Sequence, residues 1–447
     1  MKYSFISFLI AWIFPTKDDR AEFRIFCREL DNRKKVQLIQ SRYPKVIEHL
    51  QKKYKNKQKL KVVFLNSENS KWSYQSLYEK FKENPNFEVQ VLITVLEIHL
   101  KKKYKFLEYE KQARKSYNFF AEKGINVAYA FDFKNNKYID LKEFSPDIIF
   151  YEQPWSLPKE QSIIKTSKYA LCFYSSYGSA ITNGKNEYCD ILFKEVYKYF
   201  VDNPVIEDIL IWQHNFNPNN LCVAGSLKLD AYLKPINETN IIWKTKGKKR
   251  IIYAPHHSFS DNSTLRFGTF TWNYKFFYNF AKEHQEYEFI FKPHPELKRQ
   301  IIRQGLMSIG EMTEYFKMWE NLPNAQVYEF GNYFDMFRTS DLLITDCNSF
   351  LYEYLPTKKP VIHLIGEHSV GHNEFGQKII SGYYAVRNME ELQSQIDLIL
   401  FKNKDPLLSV REEVIEKILV QPEGGVAKFI EKFITNLLTT EKLKEGL

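Results

Sequence analysis

Short runs of β-branched and aromatic residues alternate with longer stretches of helical spacing along most of this chain. The first run, Leu60-Lys61-Val62-Val63-Phe64-Leu65, is closed by Asn66-Ser67-Glu68-Asn69, and residues 72–81 then carry apolar positions at helical intervals. A second strand is predicted over 87–93, a long charged helix over 97–123 that stops at Gly124, and a third strand over 125–130. Further strands are predicted at 147–151, before a Gln153-Pro154-Trp155 loop, and at 169–174. Strands alternating with helices in this way predict a doubly wound, mostly parallel sheet.

The pattern then restarts. Leu221-Cys222-Val223-Ala224 ends at Gly225, residues 237–250 have the composition of a connector, and a second alternation begins at Ile251-Ile252-Tyr253-Ala254-Pro255. Its later strands are predicted at 287–292, 325–328, 341–345 and 360–364, with closing helices at 389–402 and 407–441. Two successive α/β domains facing a cleft are the simplest architecture for such a sequence.

Composition narrows the function classes. The hydrophobic share of 44% and charged share of 26% are those of a globular protein, which excludes a disordered chain. The formal charge of +10 favours anionic partners such as nucleotide phosphates, phosphate-bearing polymers or anionic lipid. No zinc-finger spacing or RNA-binding signature accompanies it, so nucleic acid is not an expected partner. Cysteines at 27, 172, 189, 222 and 347 are odd in number and form no CxxC pair, which suits a reducing compartment. The apolar stretch from Tyr3 to Phe14 is too short to span a bilayer of about 30 Å, and no small-residue cleavage site follows it. Arg20, Arg24 and Arg28 share one helix face. Residues 1–35 therefore read either as an interfacial foot resting on the inner leaflet or as a helix packed on the first domain. The location expected is cytoplasmic, peripheral on the inner face of the cytoplasmic membrane.

In parallel sheets, ligands bind beyond the carboxyl ends of strands, and three strand ends in the second half carry reactive side chains. The first is Pro255-His256-His257-Ser258-Phe259-Ser260-Asp261, whose imidazoles can serve as base, phosphate contact or metal ligand. Adjacent side chains seldom converge on one ion, so no metal site is expected. The second is Lys292-Pro293-His294-Pro295-Glu296, where flanking prolines restrict the backbone around His294. In the third, Thr345-Asp346-Cys347-Asn348-Ser349, Asp346, Asn348 or Ser349 can cap the helix that follows, whose N-terminus suits a phosphate.

Taken together with Lys359-Pro360-Val361-Ile362 and with Val223-Ala224-Gly225-Ser226 before Asp230, these segments resemble the CDP-glycerol glycerophosphotransferase family. Those enzymes build teichoic acids and phosphate-containing capsular polymers of the cell envelope. The resemblance implies a GT-B-like fold with two Rossmann-like domains: acceptor side at 58–235 and nucleotide-donor side at 236–405, preceded by the segment 1–57 and followed by C-terminal helices at 406–447. It implies that His294 is catalytic; His256 and His257, which stand where the family commonly has Thr-Trp, are further catalytic candidates from their place at the first strand end. Thr345, Asp346, Asn348, Ser349, Lys292 and Ser258 then bind the donor's pyrophosphate. The family's N-terminal His-Gly is matched here only by Tyr177-Gly178, and a tyrosine with a pKa near 10 is a poor base. Deprotonation of the acceptor then falls to His256, His257 or another group. The implied reaction moves a phosphoalcohol from a CDP-linked donor to a polysaccharide or lipid-linked acceptor and releases CMP. The sequence shows no metal site and leaves the metal requirement open, since Mg²⁺ carried on the donor phosphates needs no site of its own. The alternatives are a glycosyltransferase using a nucleotide sugar and a non-catalytic nucleotide- or polymer-binding protein.

Overall fold

The computed structural model describes residues 30–100, 106–153, 156–183, 191–240, 242–259, 265–329 and 331–440. The chain forms two compact units: one comprises residues 1–177, 188–228 and 421–447, the other 178–187 and 229–420.

The first unit is built on β1 (Leu60–Asn66), β2 (Phe87–Ile93), β3 (Val127–Tyr129), β6 (Ile148–Tyr151), β7 (Leu171–Ser175), β8 (Lys198–Val201) and β9 (Leu221–Val223). A small antiparallel hairpin, β4 (Phe131–Asp132) and β5 (Lys137–Tyr138), lies between β3 and β6 in sequence. The sheet is parallel throughout in the order β3-β2-β1-β6-β7-β8-β9. Strands covered on both faces should be apolar at nearly every position, and β6 and β7 are buried along their whole length.

The second unit holds β10 (Lys249–Ala254), β11 (Tyr287–Phe291), β12 (Ala325–Val327), β13 (Leu342–Thr345), β14 (Val361–Leu364) and β15 (Tyr384–Val386). These strands are also parallel, in the order β12-β11-β10-β13-β14-β15. Tyr253, Phe277, Phe291 and Trp319 stack in its core. Each sheet reverses its strand order once, between β1 and β6 in the first and between β10 and β13 in the second. Such switch points are where doubly wound sheets bind ligands.

Several expectations need correcting. The strands β8 and β15 were not anticipated from the sequence. The single closing helix expected over 407–441 is two helices, Leu408–Ile418 and Val426–Thr439, because Pro422 intervenes and Gly424 and Gly425 adopt positive φ. The long helix expected over 97–123 is seen as Glu97–Leu100 and Phe106–Glu122, with 101–105 outside the described residues. The proposed membrane foot lies mostly outside the described residues too. Its described end runs into the helical stretch 30–40, which packs on the first unit: Ile39 is fully buried and Gln40 Nε2 donates to Val196 O at 2.9 Å. No helix among the described residues is long and apolar enough to cross a membrane.

Candidate functional site

The switch point of the second sheet brings together the three strand ends singled out above. Backbone bonds set the spacing: Lys292 N donates to Tyr253 O at 2.8 Å and His294 N to Pro255 O at 3.1 Å. The loops after β10 and β13 are tied by Asp346, whose carboxylate accepts from the backbone N–H of His256 and from the N–H and hydroxyl of Thr269.

Asp346 therefore does not cap the following helix, contrary to expectation. The N-cap of Asn348–Glu353 is Cys347, and no side chain caps it. With Asp346 only 1% exposed, burial pushes its pKa up to about 7 against three donated bonds that favour the carboxylate. Asp346→Ala leaves three buried donors without an acceptor. It is expected to cost about 3 kcal/mol of stability, read as a fall in melting temperature. Thr345 is likewise occupied within the fold: its hydroxyl donates to Ala254 O at 2.7 Å and accepts from Cys347 N. Ser349 Oγ lies 3.3 Å from Cys347 Sγ.

The three histidines converge. Ring centroids are 4.3 Å apart for His256 and His257, 4.1 Å for His257 and His294, and 4.8 Å for His256 and His294. Their candidate ligand atoms all lie within 4.8 Å of one another, close enough to face one ion. The expectation that neighbouring histidines point apart is thus not met. The second strand-end loop folds back onto the first and brings His294 against both rings. Hydrogen bonding nevertheless favours an anion. Glu296 N–H donates to His294 Nδ1 at 3.1 Å, which leaves Nε2 carrying the proton and able to donate. His256 Nδ1 lies 2.8 Å from Ser258 Oγ, and that hydroxyl also accepts from Phe267 N. His257 Nδ1 is buried and has no hydrogen-bond partner among the described residues. Burial, reinforced by neighbouring positive charge, lowers all three pKa values, His294 to about 3 and His257 to about 4. All three are neutral at pH 7.

Lys292 is the cation of the site. Its side chain is 6% exposed, and its ammonium sits 5.2–5.8 Å from the rings of Tyr333, Tyr328 and Phe350. Among the described residues it makes no hydrogen bond or ion pair. Burial lowers its pKa to about 8. Asn348, 8% exposed, has a buried Nδ2 with no partner, while its Oδ1 lies 3.4 Å from His372 Nε2.

His363 and His372 were missed as site residues, although His363 lies in a predicted strand and His372 follows a glycine. Their rings are 5.3 Å apart. The His372 loop is held by the short segment of the second unit that precedes residue 188: Asn183 N donates to Gly371 O, and Asn183 Nδ2 to His372 O at 2.9 Å. Gly376 is required here, since an added Cβ would meet Ile181 O. Tyr177 follows the carboxyl end of β7 in the first unit, and Gly178 opens that short segment. A Cβ on Gly178 would meet nothing within 4 Å, so no close approach demands glycine there.

Two parallel, doubly wound units of this topology define a GT-B-like α/β protein. Residues 182–369 match the family described as CDP-Glycerol:Poly(glycerophosphate) glycerophosphotransferase. No curated protein matches the sequence. Among solved structures, the chain is similar to a putative UDP-N-acetylglucosamine 2-epimerase from Listeria monocytogenes, at TM-score 0.55 and 12% identity over 87% of this chain and 98% of that one. The UDP-GlcNAc 2-epimerase from Methanocaldococcus jannaschii gives 0.54 and 13% over 85% and 99%. The Neisseria meningitidis UDP-GlcNAc 2-epimerase bound to UDP-GlcNAc gives 0.53 and 12% over 85% and 100%. At these identities the likeness establishes the fold.

Proposed function

We propose that this enzyme transfers a glycerol-phosphate-type group from a CDP-activated alcohol to a hydroxyl of a polysaccharide or lipid-linked cell-surface polymer, releasing CMP. The observation that carries the reading is Lys292, a buried ammonium that forms no ion pair among the described residues, on the same sheet edge as the unpaired Nδ2 of Asn348. A diphosphate satisfies both groups.

In the reaction, the acceptor oxygen bonds to the β-phosphorus as the bond from that phosphorus to the bridging oxygen breaks. CMP leaves with the electron pair. Such transfer depends on positioning and charge neutralisation more than on covalent chemistry. Lys292 offsets the diphosphate charge, His294 Nε2–H donates to a phosphoryl oxygen, and Asn348 Nδ2 donates to another. His257 Nδ1, the buried acceptor without a partner, takes the proton of the attacking hydroxyl. Thr345 and Asp346 hold the loops that carry these groups, and Ser258 orients His256. Mg²⁺ on the donor phosphates is compatible with this scheme and performs no step in it. The net charge of +10 supports work at an anionic membrane face.

A donor panel tests the reading. CDP-glycerol, CDP-ribitol and a set of nucleotide sugars are incubated with envelope polymer, and the released nucleotide is identified. CMP released from a CDP-alcohol is expected. A nucleoside diphosphate released from a sugar nucleotide would mean glycosyl transfer instead.

A further inference from the structure

The first unit has a switch point of its own, between β1 and β6, and it is lined by polar side chains. Leu65 pairs with Tyr151 and Tyr151 with Tyr174, so the next residues, Asn66, Glu152 and Ser175, stand abreast at the carboxyl ends of β1, β6 and β7. Ser67 and Gln153 follow one position further on. Tyr74 binds this edge together, its hydroxyl lying 2.9 Å from Tyr151 O and accepting from Ser175 N at 2.9 Å.

Only Glu152 is well satisfied. It accepts from Asn66 Nδ2 and, at 3.1 Å, from Ser73 N. Around it, Asn66 Oδ1, the hydroxyls of Ser67, Ser73 and Ser175, and both ends of the Gln153 amide are buried with no hydrogen-bond partner among the described residues. At the end of β8, Asn203 uses Oδ1 to cap the helix Pro204–Asp208, while its Nδ2 is buried and unpaired. None of these residues is more than 7% exposed. Buried polar atoms are nearly always paired, and the geometry gathers these exceptions at the one edge where a sheet of this topology binds ligands.

The chemistry of the edge identifies the ligand. Hydroxyls and carboxamides supply donors and acceptors in alternation, as sugar and polyol hydroxyls require, and the charged group among them is an acid. Burial raises the pKa of Glu152 well above the usual carboxylate range, against the pull of Lys71 and Lys228. Lys71 is also paired with Glu68 at 3.4 Å. Among the described residues of the first unit, no lysine or arginine is buried as Lys292 is in the second.

We propose that this edge of the first unit binds a neutral polyhydroxy group, a sugar or polyol residue, through Asn66, Ser67, Ser73, Gln153 and Ser175. The proposal rests on the transferase reading and narrows it: the acceptor end is a neutral sugar or polyol rather than a phosphate-terminated one.

Saturation-transfer NMR on the full chain tests this without donor or turnover. The probes are glucose, galactose, N-acetylglucosamine, glycerol and ribitol, with glycerol 3-phosphate as the charged comparison. At least one neutral probe should bind, and Gln153→Leu should weaken it about tenfold. The melting temperature of that variant should hold or rise, because leucine removes an unpaired buried amide. If Gln153→Leu proves unstable, Ser175→Ala serves instead, since it deletes only an unpaired hydroxyl. Binding of no neutral probe, binding indifferent to both substitutions, or tighter binding of glycerol 3-phosphate with the same sensitivity would each overturn the proposal. Sugar binding without any CMP release from CDP-alcohols would instead sink the transferase reading and leave the sugar site standing.

Discussion

His294→Ala should lower turnover by about 10²–10³-fold while the protein stays folded, measured as CMP released from the donor at fixed acceptor. The side chain is only partly buried, and its one hydrogen bond among the described residues, accepted from Glu296 N–H, lies within its own loop. Its loss removes little packing. What disappears is a pre-aimed, neutral N–H donor in a water-poor site, and the effect should fall on kcat more than on KM. His294→Gln, which carries an N–H donor at similar reach, should recover part of the rate. Near-normal turnover in the alanine variant would remove His294 from the mechanism.

Lys292→Met should move stability and function in opposite directions. The ammonium titrates at about 8 instead of 10.5 because burial penalises its charge. At 1.36 kcal/mol per pH unit that is about 3 kcal/mol of destabilisation at neutral pH. The surrounding rings of Tyr328, Tyr333 and Phe350 return part of it through cation–π attraction. Methionine fills similar volume without charge, so the variant should melt higher, by an amount equivalent to at most about 3 kcal/mol. Donor KM should rise by at least about tenfold, because a diphosphate then enters a site without its cation. The pH dependence follows with a definite sign. Below pH 8 the lysine is charged in both folded and unfolded chains, and the burial penalty is complete. Between about 8 and 10.5 the unfolded chain keeps a proton that the folded one has released, so wild-type stability rises with pH across that window. Donor affinity should fall across the same window in the wild type, and neither trend should survive in Lys292→Met. A variant that melts lower and binds donor normally would mean that Lys292 is a packing residue.

Much of this was legible in the sequence, for identifiable reasons. Strands such as Leu60–Asn66 and Tyr287–Phe291 are mostly apolar, broken only by Lys61, Asn66 and Glu288, because both faces of a parallel sheet are covered. Lys292-Pro293-His294 announced itself because two prolines hold one imidazole at a strand end. The four-residue strand β8 and the three-residue β15 are too short to show a period, and they stand only because their neighbours supply the ladder. Asp346 looked like a helix cap because an acid often is one; its true partners, His256 N and Thr269, are distant in sequence. The aromatic surround of Lys292 is assembled from positions 328, 333 and 350, and no local pattern signals it. Asn66, Glu152 and Gln153 read as ordinary loop residues until strand order sets them side by side.

The helix Val426–Thr439 belongs to the first unit, where Gln51 Nε2 reaches Leu437 O and Phe433 meets Phe200 edge-on. The strands of the first unit are consequently synthesised well before the helix that packs on them. Until then, the apolar patch meant for Ile430, Ile434 and Leu438 stays uncovered on the nascent chain, and truncation near the end would damage the beginning.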